Sequence, residues 1–577
     1  MNSTALRVAI VGGGPKGLFA LESLSAAVRD HPVADRPHLH VDIYEQDTPG
    51  AGRIWRTDQP SCFVLNVTSA IVSAWPAARA AASKARKSFS AWAEVHAPEH
   101  RLDPFPPRAA VGAYLAWAFE TVIAELPETM TVTVVPARVR RLCRAGDGWQ
   151  VHAGPEVREP YDEVLLATGH ARRHSRALTT REVHDETRTL SHDDYSTVAR
   201  ISPGQRVLTS GAALTFIDFA LMVTENRCGH FERNVVTGDL IYRACGAEPV
   251  LLPTCLSGRF YNAKPPSIYI PADGGQQQAD LDELTGHHAA ALAEDASPRD
   301  VAAALRHLAA DILIGRAGAW QEPASAEVVA AVDETAESGW GPGLATSAKA
   351  ALERSVLIAR GLQAPDAECA LGQAWTGLLP RIRQVLSFRA HDPQQWEEFL
   401  ALSTKLMRFA EGPPLVNAEK LLALIRAGVI DLEMMSPGPG EKDAHMFGHP
   451  DLHVLAVLAP PGAVHARTEV IDSLIAEGIV AKPAVQRGIQ VTGSLQLVGP
   501  DGQPVPGLSA IGRPTEDWTI GNDSLNRAAL PEPEVWAARI AGHRYWDDRR
   551  LGAGTTTSGT GPPPRERMRQ RGRSGGQ

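Results

Sequence analysis

The chain lacks the features that would mark several large classes of protein. No run of about 18 or more apolar residues occurs in it, so a membrane-spanning helix is not expected. No long basic stretch lies inside the body, and the net charge of −9 is spread along the length, which weighs against nucleic acid as a partner. The HExxH, CxxC…CxxC and Walker A sequences are missing. His170, His230 and His543 stand without metal-ligand spacing, so no metal is expected. Six cysteines, Cys62, Cys143, Cys228, Cys245, Cys255 and Cys369, form no CxxC pair and no repeated spacing. They read as buried or free thiols of a reducing compartment, not as a disulfide framework. The opening residues, MNSTALRVAIVGGG, lack the basic region and cleavage site of a secretory signal. A cytoplasmic location is the expectation, with a homo-oligomeric state left open.

What is present reads as a soluble enzyme. With 577 residues the chain is too long for one core, and 44% apolar with 21% charged residues is ordinary for a globular protein. Leu6–Val11 is a β-rich apolar run, GGGPKG a turn, and Leu18–Val28 has helical apolar spacing. A second strand, His40–Tyr44, ends at Glu45, completing a βαβ unit. Residues 83–126 look helical, broken by FPPRAAVGAYL; Thr131–Val135, Val139–Leu142, Trp149–His152 and Glu163–Ala167 look like strands. A second strand–turn–helix unit opens at Arg206–Leu208. The alanine-rich stretch from about 277 to 407 reads as a helical insertion. Gly488–Gln496 and Pro504–Ile511 look like a hairpin, and the Gly/Ser/Pro/Arg tail should be disordered.

The glycine motif carries the chemistry. In Gly12-Gly13-Gly14-Pro15-Lys16-Gly17 the first glycine permits a tight turn, the next lets backbone approach a pyrophosphate, and the last allows close helix–strand packing. Unpaired N–H groups at the helix start then face the phosphates. Glu45, after the next strand, is placed to accept the ribose hydroxyls. A second signature is YDEVLLATG, whose Thr168 and Gly169 end a strand beside the dinucleotide. The two together favour FAD over a bare nicotinamide fold. The fold class they imply is α/β, a Rossmann-like two-dinucleotide-binding flavoprotein fold with a helical insertion. Expected segments are 1–200 and 481–551 for FAD, 201–276 and 408–480 for a nicotinamide dinucleotide, 277–407 for the insertion and 552–577 for the tail. In the returning segment Arg513 follows Gly512 where an acidic residue is usual, so Asp517 or Asp523 is left to supply a ribityl contact.

VAIVGGGPKGLFALESL, YEQDTPGAGRIWRTDQP, FPPRAAVGAYLAW, VLLATGH, LTFIDFALMVTENRCGHF, CGAEP, FAEGPP and GRPTEDWTIGNDSLNR together resemble the actinobacterial FAD/NAD(P)-binding protein family. That family includes aspartate N-monooxygenases that form nitrosuccinate, and the resemblance runs over most of residues 5–530. It implies Trp55 and Asn66 as the catalytic candidates near the flavin ring; the alternative for Asn66 is a role in its own loop backbone. It also implies Arg53 and Val139 as further cofactor contacts. VLTSGAALTFID would supply the second dinucleotide turn for NADPH, with Gly211 and Thr215 as contacts, although Ala213 stands where a glycine is usual. Arg243 and Arg259 are candidates for a 2′-phosphate. Arg259, Lys264 and Arg513, with Arg53, are candidates to clamp a dicarboxylic amino acid.

The activity this implies is N-oxygenation of a small amino acid with NADPH and O2, aspartate to nitrosuccinate being the first choice. Alternatives are other oxygenase or reductase chemistry on the same fold, or a flavin-binding redox sensor without turnover.

Overall fold

In the computed structural model the chain builds two sheets, one mostly and one wholly parallel, and its last strands return to the first. The residues described are 5–170, 189–191, 198–265, 276–316, 325–341, 347–435, 450–458, 461–464 and 468–542. The expected disordered tail and His543 lie outside them.

The apolar run at the N-terminus forms β1 (Leu6–Val11), and the glycine turn leads into helix Pro15–Asp30. Then come β2 (Leu39–Tyr44) and β3 (Met130–Val135), the antiparallel pair β4 (Arg141–Ala145) and β5 (Gly148–His152), and β6 (Glu163–Leu166). The strands β7 (Thr189–Ser191), β8 (Arg206–Ser210), β9 (His230–Arg233), β10 (Leu240–Arg243) and β11 (Val250–Thr254) come next, with helix Leu214–Met222 after β8. After a helical stretch come β12 (Leu452–Leu455), β13 (Gln496–Val498) and β14 (Pro504–Ala510). The first sheet runs β13-β14-β6-β1-β2-β3, parallel except at β13–β14; the second runs β11-β8-β12-β7, all parallel. Burial on both faces explains the largely apolar runs of β1 and β6, whereas β2 carries His40 and the buried Asp42 between its apolar residues.

Several boundaries differ from the sequence reading. β7 falls before residue 200 yet pairs with β12 in the second sheet. Helix Glu469–Ala476 falls before residue 480, yet its Val470, Ile471 and Leu474 pack with Val139, Leu142 and Val151 on the first sheet's side. Composition does not change where the chain crosses between sheets, so nothing local marks the crossing. The strand read at Val139–Leu142 runs Arg141–Ala145. Of the stretch Gly488–Gln496 only its last residue belongs to β13; the chain turns back through positive φ at Leu495, and Val491 makes an isolated antiparallel bridge to Leu497. The cysteine reading is also corrected. Cys228 and Cys245 form a disulfide, their Cα atoms 5.9 Å apart, because the intervening β9–β10 hairpin folds the chain back on itself. Cys62, Cys143, Cys255 and Cys369 take no part in a disulfide.

Of the helices from Gln276 to Ala410, Ala348–Ala359 packs Leu352 and Val356 into the second sheet's core, while others bury Leu305, Leu308, Leu371, Leu378, Trp396 and Leu406 in a separate core. No helix among the described residues is long and apolar enough to cross a membrane.

The C-terminal return is locked by one buried carboxylate. Glu163 in β6 accepts hydrogen bonds from Ser509 Oγ (2.6 Å), Trp536 Nε1 (3.1 Å) and Arg539 Nη2 (2.6 Å), joining β6, β14 and helix Glu532–Ile540. Glu163→Ala would leave three donors facing an apolar hole. We expect a loss of about 3 kcal/mol in chemical unfolding, whereas a change below about 0.5 kcal/mol would show that water replaces the carboxylate.

Candidate dinucleotide sites

The glycines of the first turn divide by what surrounds them. Gly12 sits at φ 105°, where a Cβ would come within 2.3 Å of the Ala167 carbonyl oxygen. A Cβ on Gly17 would meet the Gly12 carbonyl oxygen at 2.1 Å. These two glycines are demanded by the fold. Gly14 is different. Its backbone is extended (φ −70°, ψ −163°) and a Cβ there would find nothing nearer than Gly52 Cα at 3.8 Å. The protein leaves that space open, and a pyrophosphate fits it. Pro15 starts the helix, which has no side-chain cap at its N-terminus, so its first N–H groups are available to phosphate oxygens.

Loop 49–53 closes over this turn. The Gly50 N–H donates to the Gly13 carbonyl (2.7 Å), and a Cβ on Gly52 would lie 2.9 Å from Gly14 Cα. Glu45 takes the position expected of a ribose acceptor. Its oxygens hold the Gly13 and Asp47 N–H groups, both at 2.9 Å, and burial raises its pKa. Thr168 and Gly169 come just after β6 at the same edge, and the buried Thr168 Oγ1 has no hydrogen-bond partner among the described residues. An orphaned hydroxyl beside an open cradle matches a dinucleotide's polar surface.

The returning segment reaches the same place. Gly512, at φ 75°, lies against the Lys16 side chain, whose Nζ donates to the Ser524 carbonyl at 3.0 Å. Burial drives the Lys16 ammonium down to about 7, against the pull of Glu532 and Asp523. Arg513 is not a free clamp. It pairs with Glu516 (3.0 Å) and Asp523 (2.9 Å), and its Nε meets His170 Nε2 at 3.1 Å. Burial raises the Asp523 carboxyl, but Arg513 and then Lys16 overcome it and hold the pKa below the usual range. Of the two acids considered for the ribityl contact, Asp517 is committed elsewhere, buried against Arg487 at 2.6 Å. Asp523 is the one at the cradle. Arg53 reaches the His170 carbonyl at 3.4 Å.

His170 is the residue that sequence spacing dismissed. It joins Arg53 and Arg513 at this edge, burial and the Arg513 charge lower its pKa to about 4, and its buried Nδ1 has no partner among the described residues. Its place directly after Ala-Thr-Gly was the available signal. Val139 is buried in one core with Val11, Tyr44 and Leu166, the last residues of β1, β2 and β6.

Trp55 and Asn66 lie on the stretch after β2, whose residues enter the cores of both sheets. A Cβ on Gly112 would fall 1.8 Å from the Trp55 carbonyl oxygen, so that glycine lets helix Arg108–Ala124 press against the Trp55 loop. Cys62 and Phe63 join the second core and Leu65 the first. Lys264 donates to the Asn66 carbonyl (2.9 Å) and pairs with Glu411 (3.1 Å). Lys264 thus positions Asn66, which corrects its reading as a free substrate clamp. The half-buried Asn66 amide makes no hydrogen bond to a described residue.

The second turn repeats the first. Gly211 sits at φ 108°, and a Cβ would come within 2.4 Å of the Ala456 carbonyl oxygen, as Gly12 does with Ala167. Ala213 caps helix Leu214–Met222 with φ −93° and ψ −159°, close to Gly14, so its methyl enters the space that Gly14 leaves open. Thr215 lies in that helix's first turn. Arg259 is removed from both proposed ligand roles. Its nitrogens donate to Glu368 (2.7 Å twice), Asn262 Oδ1 (2.7 Å), and the Gly339 (2.8 Å) and Phe260 (3.4 Å) carbonyls, while Trp340 and Phe409 cover its faces. Arg243 pairs with Glu232 on the exposed hairpin. Among the described residues no three His, Cys, Asp or Glu side chains gather as a metal site requires.

Gly14→Val separates ligand from fold. We expect it to abolish bound flavin, read as visible absorbance per polypeptide, with the thermal midpoint of the apoprotein unchanged. Gly12→Ala should instead lower that midpoint, because its Cβ meets backbone. A Gly14→Val protein that keeps full flavin would remove this cradle from consideration.

Residues 9–171 match a family model described as FAD-NAD(P)-binding. An L-aspartate N-monooxygenase (nitrosuccinate-forming) of Streptomyces davaonensis is 30% identical over 299 residues, covering 46% of this chain and 45% of that protein. A nitrosuccinic acid synthase of Aspergillus oryzae is 31% identical over 274 residues, covering 46% and 42%. The chain therefore spans less than half the length of these curated relatives. Among solved structures, L-lysine 6-monooxygenase from Pseudomonas syringae aligns over 95% of this chain and 99% of that one, at 12% identity and a TM-score of 0.40. The chain is similar to nitrosuccinate-forming aspartate N-monooxygenases, and residues 9–171 form an FAD-NAD(P)-binding segment.

Proposed function

We propose that the protein is an FAD-dependent N-monooxygenase that uses NADPH and O2 to oxygenate the amine of a small amino acid, L-aspartate to nitrosuccinate being the favoured reaction. The observation that carries this is the pair of matching glycine turns, each at the C-terminal edge of its own parallel sheet, where open α/β sheets bind dinucleotides. Similarity to enzymes named for that reaction supports the substrate choice.

When bound, FAD would take hydride from NADPH and pass one oxygen atom of O2 to the amine. The balance of one turnover is amine, NADPH, H⁺ and O2 giving hydroxylamine, NADP⁺ and water; repetition carries the nitrogen onward. The first cradle would hold FAD through Gly12–Gly17, Glu45 and Thr168, with Gly512 and Asp523 closing from the return. Gly211 and Thr215 would face NADPH. Asn66, on a loop fixed by Lys264, would offer its side-chain amide as a hydrogen-bond donor to the flavin. Glu163 holds the return in register, and the burial around Lys16 and His170 keeps water from the cradle.

Ala213 favours a second reading, a flavin-binding sensor without turnover, since its methyl narrows the second turn. Rapid mixing of the yellow protein with NADPH separates these readings. Bleaching that is fast only with aspartate, with labelled oxygen recovered in the product by mass spectrometry, is expected. Bleaching without oxygen transfer points to a reductase, and no bleaching points to the sensor. Asn66→Ala is expected to consume NADPH while releasing peroxide in place of product. Unchanged coupling between NADPH and product would take Asn66 out of the site.

A further inference from the structure

The two turns differ in the residue just past the second strand of each unit. Val11 pairs with Tyr44, and the next residue is Glu45, whose charge would repel a phosphate on the adenosine ribose. In the second unit Ser210 pairs with Thr254, and the next residue is Cys255. Leu256, Ser257 and Gly258 come after it, so no carboxylate stands there. This edge has been cleared of negative charge.

A cation is held next to it by the helical stretch. Phe260 stacks on Phe216 in the first turn of helix Leu214–Met222, with ring centroids 6.2 Å apart. The segment Arg259–Asn262 therefore runs along the start of that helix. The Asn262 N–H donates to the Arg408 carbonyl at 3.0 Å, which brings the last turn of helix Pro393–Ala410 onto the same segment. The Arg408 guanidinium forms no hydrogen bond or ion pair among the described residues, and its Nε is buried without a partner. Arg259, Lys405, Tyr261, Cys255 and Glu368 are the charged or titratable groups around it, and its Nη2 lies against Gly339. Glu368 is already committed: its oxygens hold Arg259, Asn262 and the Gly341 N–H. Burial, then the like charge of Arg259, lowers the Arg408 pKa. An uncompensated guanidinium in such a place is costly unless an anion arrives.

We infer that Arg408 reads the 2′-phosphate of NADPH at the end of β11, so that the insertion sets the nucleotide preference of the second site. This rests on the reading of the second turn as a nicotinamide dinucleotide site. A planar guanidinium can grip a phosphate through two parallel N–H bonds, which a lysine cannot.

Titration calorimetry on the flavin-loaded protein tests this without turnover, with 2′,5′-ADP and ADP as probes. The wild type is expected to bind 2′,5′-ADP at least roughly tenfold more tightly than ADP. Arg408→Gln should erase that preference while ADP affinity stays within about twofold, and Arg408→Lys should restore part of it. An unchanged preference in Arg408→Gln, or a parallel loss for both probes, overturns the inference. So does a raised KM for the amino acid with the preference intact, which would give Arg408 to a carboxylate substrate. A wild type that prefers 2′,5′-ADP yet never oxygenates an amine would sink the monooxygenase reading and leave the role of Arg408 standing.

Discussion

The structure depends on an approach between backbones that no side chain could survive. At Gly12 the chain passes so close to the Ala167 carbonyl that β1 and β6 can end side by side and open a cradle above them. Gly211 repeats this against Ala456 in the second sheet. Each sheet thereby presents strand ends and a bare helix start on one edge. The residues proposed to touch a dinucleotide are organised around those two contacts.

Electrostatics then divide the arginines by task. Arg259 is sealed under Trp340 and Phe409 with Glu368, where a bidentate pair satisfies its guanidinium. Such a pair fixes geometry more than it adds stability. Arg513 bridges Glu516, Asp523 and His170, holding the returning segment against the first turn. Positive charge near a phosphate site is thus mostly employed in keeping loops in place.

Much of the first site was legible in the sequence, because its determinants are local. The strand, glycine turn, helix and Glu45 sit within the first 45 residues, and Ala-Thr-Gly marks the end of β6. The alanine-rich stretch read correctly as helical because its apolar residues recur at helical spacing. Long-range partnerships were hidden. Arg259 lies 109 residues from Glu368, and Lys264 lies 198 residues from Asn66. No periodicity reports such distances, so both cations looked available for a ligand. The Cys228–Cys245 bond was missed for a related reason, since a hairpin and not a motif brings the thiols together.

The helical insertion enters and leaves the second unit through one seam. The Lys264 N–H bonds the Pro413 carbonyl at 2.8 Å, Lys264 and Pro414 form a parallel bridge, and a Cβ on Gly412 would fall 1.7 Å from the Asn262 carbonyl oxygen. The two chain crossings are therefore stitched together, and most helices beyond them share a separate core. A block attached in this way can be lengthened, shortened or exchanged in descent while β8, β11 and β12 keep their pairing. Gly412 is then the fixed stitch, and variation among descendants should gather beyond it.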